Sequence, residues 1–390
     1  MALSDSVARP WLAVFDLNVT RNSPAGSCVH AEVMGLADSY DITVFSGAFD
    51  NERPDRVRWV HIPLPKKPGF LKYIVFQVLG PWALRRHIRD RGCPPMAIQA
   101  TQGQFIGADV CYPHFCHRAY LAGQWKLQKT TGLHRLMRWC SYRYNAWAER
   151  RAFLKARKII TPSRGLAREL EATYPFVAGK VEQIANPVDL ERFARPADFD
   201  AAAFRASQGL PAGATVLSFA ALGDFERKGL GLIIDALALL ANPSVHVLVV
   251  GGTKPEIAGF AARAEAAGVA AQCHFVGFQK DVCPYMWASD AFVFPSTYEI
   301  FSLVLLQALA AGVPTVATPL YGFEEYARHG ENAWVIERTP VSVAAAIAEI
   351  VAQPQLREAI GRAAASTAQN YGRNAFVQAW HQQYLHLAGH

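Results

Sequence analysis

A chain of 390 residues, half of them hydrophobic and carrying a net charge of +7, is long enough for two domains with a core each. Its seven cysteines are odd in number, scattered and without a Cys-x-x-Cys pair, which sets aside a disulfide scaffold and fits a reducing, cytoplasmic setting. Residues 1–6 lack the basic-then-apolar pattern of a signal peptide, and the longest apolar stretch, Leu71 to Leu84, is interrupted by Lys72, Gln77, Gly80 and Pro81, so no membrane-spanning helix is expected.

In chain order, Trp11 to Phe15 reads as a first buried strand, followed by the small-residue loop Asn22 to Ser27 and a helical pattern from Val29 to Leu36. Ile42–Phe45, Val57–Ile62, Ala97–Ala100 and Ala108–Tyr112 read as further strands. The basic excess is densest from Arg118 to Lys158, where 11 basic residues meet a single acid, Glu149, and Trp125, Trp139, Tyr142, Tyr144 and Trp147 are interleaved with them. Earlier, Lys66, Lys67, Arg85 and Arg86 flank an apolar stretch. With Arg118 and Trp125, these residues form a candidate face for an anionic membrane surface or an anionic glycan acceptor, the alternative being a solvated face on ordinary helices. The charge is unevenly divided: net +12 from Met1 to Pro196 and −5 from Ala197 onward. No helix-turn-helix, zinc-finger or RNP pattern accompanies it, and nucleic acid is not expected as a partner.

Cys111-Tyr112-Pro113-His114-Phe115-Cys116-His117 crowds four potential metal ligands, but structural zinc sites pair two separated ligand groups and no second group is evident. The strand Lys158–Thr161 follows, then a mixed polar stretch from Asn186 to Pro211 read as a linker. A second strand–helix series runs through Val216–Ala220, Val245–Val250, Cys273–Val276, Ala291–Phe294 and Pro314–Ala317. Such alternation implies α/β domains with parallel sheets covered by helices on both faces. Gly251-Gly252 lacks dinucleotide spacing and reads as a turn.

The densest signal is Tyr298-Glu299-Ile300-Phe301-Ser302-Leu303, with Gln307 two turns on. It follows a buried strand and opens a helix placed to begin near Phe301. Free amides and the positive end of a helix there favour a phosphate, Glu299 can accept hydrogen bonds from sugar hydroxyls, and Gln307 can reach a ribose. Together these describe a nucleotide-sugar.

Tyr-Glu-x-Phe-x-Leu-x-Leu-x-Gln-Ala resembles the Glu-x7-Glu signature of glycosyltransferase family 4, the retaining GT-B enzymes, with Gln307 in place of the second Glu. Gly223-Asp224-Phe225-Glu226-Arg227-Lys228-Gly229 is similar to the same family's Gly-Arg-x-x-x-x-Lys-Gly loop, with Asp224 where Arg is usual. The resemblance implies a GT-B fold, two Rossmann-like parallel-sheet domains facing a central cleft. The expected boundaries are an acceptor-side domain over 1–188, a nucleotide-sugar domain over 189–370, and a terminal helix over 371–390 that crosses back. It implies that Lys228 and Arg227 grip the donor diphosphate, with Gly26 and the amides of Ile300, Phe301, Ser302 and Leu303. Glu299 would hold the sugar, Gln307 the ribose, Phe278 would lie beside the base, and His114 would line the reacting face. No nucleophile is expected, and neither cofactor nor metal. The function implied is retaining transfer of a sugar from a nucleoside diphosphate sugar to a hydroxyl of a glycan or lipid-linked acceptor, as in bacterial surface polysaccharide or lipopolysaccharide synthesis. The expected location is the cytoplasm, peripheral on the inner membrane face. Open alternatives are an epimerase or phosphorylase on the same fold, or a non-catalytic membrane-associated nucleotide-sugar binder.

Overall fold

The computed structural model describes residues 9–65, 69–127 and 132–389. The chain divides into two compact units, one comprising the residues up to Pro187 together with those from Arg373, the other Val188–Gly372.

Unit 1 is built on a parallel sheet of seven strands: β1 (Trp11–Phe15), β2 (Asp41–Ser46), β3 (Val57–His61), β4 (Ala97–Thr101), β5 (Val110–Tyr112), β6 (Lys158–Thr161) and β7 (Val181–Gln183). Their spatial order is β3-β2-β1-β4-β5-β6-β7. The order reverses between β1 and β4, a switch point of the kind at which open α/β sheets leave a crevice beyond their carboxyl ends. β1 is buried along its whole length, as a strand covered on both faces must be. Helices α1 (Gly26–Leu36), α2 (Gly69–Arg91), α3 (His117–Ala122) and α4 (Gly132–Lys155) complete the layers. On one face Phe15 stacks on Phe45 and Phe105, and Phe76 of α2 meets its edge.

Unit 2 has six parallel strands: β8 (Thr215–Ala221), β9 (Val245–Gly251), β10 (Cys273–Gly277), β11 (Ala291–Phe294), β12 (Thr315–Ala317) and β13 (Trp334–Val335), in the order β10-β9-β8-β11-β12-β13. The order reverses between β8 and β11, which pair through Leu217–Ala291 and Ser218–Phe292. Its helices include α5 (Phe225–Lys228), α6 (Leu230–Leu240), α7 (Lys254–Ala266) and α8 (Leu303–Ala310).

The stretch from Asn186 to Pro211 is more ordered than a linker. Its short helices Leu190–Phe193 and Ala201–Ser207 are capped by Asp189 and Asp200, whose carboxylates accept from Arg192 N and Ala203 N. Phe193 is buried, and its carbonyl accepts from the Trp287 indole at 2.7 Å. The terminal helix α9 (Arg373–Ala388) belongs to unit 1. Its Val377 packs so closely on Gly35 that a methyl group there would lie 2.2 Å away.

Candidate functional site

The adjacency of β8 and β11 brings two distant loops together. Lys228 lies just beyond the carboxyl end of β8, and Glu299 just beyond that of β11. Gly229 permits the approach: its φ is +89°, and a Cβ would sit 2.3 Å from the Pro295 carbonyl oxygen. The Lys228 ammonium forms a short ion pair with Glu299 Oε1 and lies 5.1 Å from the centre of the Phe294 ring. Arg227 Nη1 reaches the same oxygen at 3.2 Å and donates to the Tyr298 carbonyl, while the Ser296 hydroxyl donates to Oε1 at 3.1 Å.

All three of these side-chain partners lie on one oxygen of Glu299, leaving Oε2 able to accept from a ligand hydroxyl. Burial pushes the Lys228 pKa down, with Glu299 opposing and Arg227 adding to the shift. Arg227 is held above its ordinary value: burial opposes this, and the carboxylates of Glu299 and Asp224 outweigh it.

Asp224 does not supply the positive charge usual at its position. It sits at φ +61° and accepts from Arg227 Nε at 2.6 Å, aiming the guanidinium at Glu299. Its own amide donates to Glu256 Oε1 at 2.6 Å, and Glu256 closes a capping box with Thr253 at the start of α7. Arg338 joins the two loops by donating to the Pro295 carbonyl at 3.1 Å and the Glu226 carbonyl at 3.2 Å. Sequence reasoning missed Ser296 and Arg338. Ser296 carried a faint signal, three residues before Glu299 at a strand end, whereas Arg338 had none.

Helix α8 starts at Leu303, two residues later than the sequence suggested, with Ser302 as an N-cap that makes no side-chain bond. Ile300 and Phe301 are therefore buried anchors in the preceding turn. Phe301 packs so tightly on Gly322 that a Cβ there would lie 2.5 Å from its ring. The amides of Leu303 and the next two residues remain orphan donors by helix geometry. Gln307 lies on α8, half-buried, four residues beyond Leu303. Phe278, just after β10, is 69% exposed, and Gln279 turns its amide back to the Val276 carbonyl at 2.8 Å.

In unit 1, Gly26 opens α1. A Cβ there would fall 1.8 Å from the Asn18 carbonyl oxygen, and its amide faces the Ser23 hydroxyl at 3.3 Å. The glycine is thus required by close backbone packing. His114 follows β5 in a loop held by Gln102, whose Oε1 accepts from the His114 and Phe115 amides at 2.6 and 3.1 Å. Gln102 also donates to Glu149, and this fully buried acid accepts from His117 Nδ1 and the Tyr174 hydroxyl at 2.9 and 2.8 Å. The one acid of the basic stretch is therefore spent internally. His114 Nε2 is buried without a partner among the described residues, and burial pushes the ring pKa down to about 3, so the imidazole is neutral.

The proposed basic face is only partly as expected. Arg85, Arg86 and Arg118 are exposed. Lys66 and Lys67 lie outside the described residues. Trp125 is a correction: it is 8% exposed, packed against Tyr142, and cannot present itself to a membrane or acceptor. The exposed tryptophans among the described residues are instead Trp59, Trp82, Trp139 and Trp147, and Leu133, Leu136 and Met137 are exposed on α4. No helix among the described residues is long and apolar enough to cross a membrane.

Residues 202–367 match the family of glycosyl transferases group 1, and residues 25–192 match Glycosyltransferase Family 4. A D-inositol 3-phosphate glycosyltransferase of Streptomyces avermitilis is 32% identical over 234 residues, 56% of this chain and 49% of that protein. The lipopolysaccharide glucosyltransferase WaaG of Escherichia coli is 35% identical over 143 residues, 36% of this chain and 35% of that protein. These alignments thus span about half the length of the curated relatives or less. Among solved structures, that of WaaG superimposes with a TM-score of 0.72 at 18% identity, covering 94% of this chain and 98% of that one. Anabaena Alr3699/HepE in complex with UDP-glucose superimposes with a TM-score of 0.71 at 17% identity, covering 96% and 98%. Both share the fold, two parallel-sheet α/β domains of the GT-B type.

Proposed function

For this chain, which belongs to glycosyltransferase family 4 and has the GT-B architecture, we propose retaining transfer of a sugar from a nucleoside diphosphate sugar to a hydroxyl of a glycan or lipid-linked acceptor. The observation that carries this reading is the Lys228–Glu299–Arg227 cluster at the switch point of unit 2, where two cations and a half-free carboxylate meet. A diphosphate leaving group gains negative charge as the glycosidic bond breaks, and Lys228 and Arg227 would stabilise it. Binding the diphosphate would draw the Lys228 ammonium from Glu299 toward phosphate oxygens. Glu299 would keep Arg227 and Ser296 on Oε1 and accept a donor-sugar hydroxyl on Oε2. The N-terminal amides of α8 would face a phosphate, and Gln307 would bond the ribose as a neutral donor and acceptor. Phe278 would flank the base.

His114 would line the reacting face as a neutral imidazole, with its unpartnered Nε2 offered to a ligand oxygen. With no side chain assigned as nucleophile, the acceptor oxygen would attack from the leaving-group side and pass its proton to a donor phosphate oxygen. No metal is invoked. The relative named WaaG is a lipopolysaccharide glucosyltransferase, and HepE's structure holds UDP-glucose, which supports a uridine nucleotide and a bacterial surface glycan as first choices. The exposed Arg85 and Arg86, with Trp82 on α2 and the apolar residues of α4, would rest unit 1 on an anionic membrane surface.

A thermal-shift screen of nucleoside diphosphate sugars, followed by anomeric analysis of the product formed with the best donor, tests this reading. Stabilisation by one donor and a product that keeps the donor's anomeric configuration are expected. Acceptor-independent conversion of the donor to an isomeric sugar nucleotide would overturn it.

A further inference from the structure

Helices α3 and α4 enclose an open groove of about 490 Å³ on the surface of unit 1. Trp139, Arg143, Trp147 and Arg150 follow one another at four-, four- and three-residue steps, so they share a face of α4. Arg118 and Leu121, three residues apart on α3, face them.

The three guanidinium groups are exposed but held. Arg118 lies 5.6 Å over Tyr174, Arg143 lies 5.3 Å over Trp139, and Arg150 lies 5.7 Å over Phe176. Stacking occupies a guanidinium's face and leaves its N–H edges to bond. Among the described residues no carboxylate forms an ion pair with any of the three, and Glu149, the acid that could have done so, is buried among His117, Gln102 and Tyr174. Trp139 and Trp147 remain 41% and 49% exposed at the groove wall.

We infer that this groove binds a phosphomonoester carried on a sugar. Three unpaired, pre-oriented guanidinium forks suit a compact dianion better than a singly charged carboxylate or diester. The indole walls suit the apolar face of a sugar ring bearing it. None of its lining residues belongs to the Lys228–Glu299 cluster, and the groove would select acceptors that carry a phosphate. Its role in choosing the acceptor rests on the transferase reading, whereas the binding itself does not.

The test is calorimetric titration of the full-length protein with glucose 6-phosphate, glucose and inorganic phosphate. Glucose 6-phosphate should bind at least tenfold more tightly than either of the other two. The combined variant Arg118→Gln, Arg143→Gln, Arg150→Gln should weaken it at least 30-fold, and Trp147→Ala several-fold. Lys228→Ala should leave it unchanged. Circular dichroism confirms that each variant is folded, and the thermal shift with UDP reports separately on unit 2. Binding of glucose 6-phosphate that survives the triple variant, or that Lys228→Ala removes, would overturn the inference. So would binding confined to vesicles of phosphatidylglycerol and lost in the triple variant, which would give the arginines to the bilayer. A missing UDP shift in the wild-type protein would count against the donor reading and leave the groove to be judged by its own titration.

Discussion

At the residue scale, Lys228 and Gln307 separate binding from chemistry. A charged hydrogen bond to a desolvated diphosphate is worth about 1.5–3 kcal/mol, so Lys228→Ala should cost roughly 10- to 100-fold in turnover with the donor. Steady-state kinetics on the folded variant check this, and wild-type turnover would remove Lys228 from the diphosphate site. Gln307 has no charge to lose. Gln307→Ala should raise the donor KM and leave kcat nearly unchanged, because a ribose contact is equally present in ground and transition states. A fall in kcat with constant KM would contradict a ribose role. His114 titrates far below neutrality, its pKa pushed down to about 3 by burial. With the folded pKa below the unfolded one, the protein binds fewer protons at this residue when folded. Its contribution to stability is present above the unfolded pKa near 6.5 and is lost as pH falls toward 3. The C2-proton NMR signal of His114 should therefore not shift between about pH 5 and 8, and a titration there would show the ring to be solvated.

At the element scale, α9 is fastened by a buried ring of hydrogen bonds. The Tyr384 hydroxyl lies 2.8 Å from Glu32 Oε1 and 2.5 Å from Gln99 Oε1, and Gln99 Nε2 donates to Glu32 Oε2 at 2.9 Å. Tyr384 has one proton to give. If Glu32 is ionised, Tyr384 can satisfy only one of the two oxygens. If Glu32 is protonated, it donates to Tyr384, Tyr384 donates to Gln99, and the ring closes. Burial accordingly pushes the Glu32 carboxyl up to about 8, against the lowering pull of Tyr384 and Gln99. The raised folded pKa fixes the sign: this contribution is full below the unfolded pKa near 4.5 and is lost as pH rises through about 8. Glu32→Gln copies the protonated pattern and should raise Tm at about pH 8.5 relative to the wild type, with little change at about pH 5. Thermal melts at the two pH values decide it, and equal shifts at both would exclude the titration.

At the scale of the whole molecule, charge is segregated, net +12 up to Pro196 and −5 beyond it. The basic residues exposed on α2, Arg85 and Arg86 among them, should give reversible binding to anionic vesicles. Each cation near such a surface contributes about 1 kcal/mol, and the attachment should weaken as salt shortens the Debye length. Flotation of the full-length protein with phosphatidylglycerol vesicles at low and high salt measures this, alongside the Arg85→Glu, Arg86→Glu variant, which should bind less. Equal recovery on neutral vesicles would return the face to solvent.

The amino-acid sequence by itself determined the alternation of strands and helices, because a strand buried on both faces needs an unbroken apolar run such as Val247–Val250 or Ala291–Phe294, and such runs are local. It also marked Glu299 and Gln307, because their spacing to a strand end and a helix start is local too, and Lys228 through the resemblance of its loop to that of the family. It could not show that Trp125 is inside and Trp139 and Trp147 outside, since all three lie in one basic aromatic stretch and only packing against Tyr142 distinguishes them. It misread 186–211 as a linker, because short helices capped by Asp189 and Asp200 carry too little periodicity to detect. It held no sign of Arg338, which acts on carbonyls 43 and 112 residues away. Tertiary structure alone decided that Lys228 and Glu299 touch, that Asp224 aims Arg227, and that Glu149 turns inward and leaves Arg118, Arg143 and Arg150 without a carboxylate among the described residues. Each of these depends on strand order and side-chain packing, which bring together residues that the chain keeps far apart.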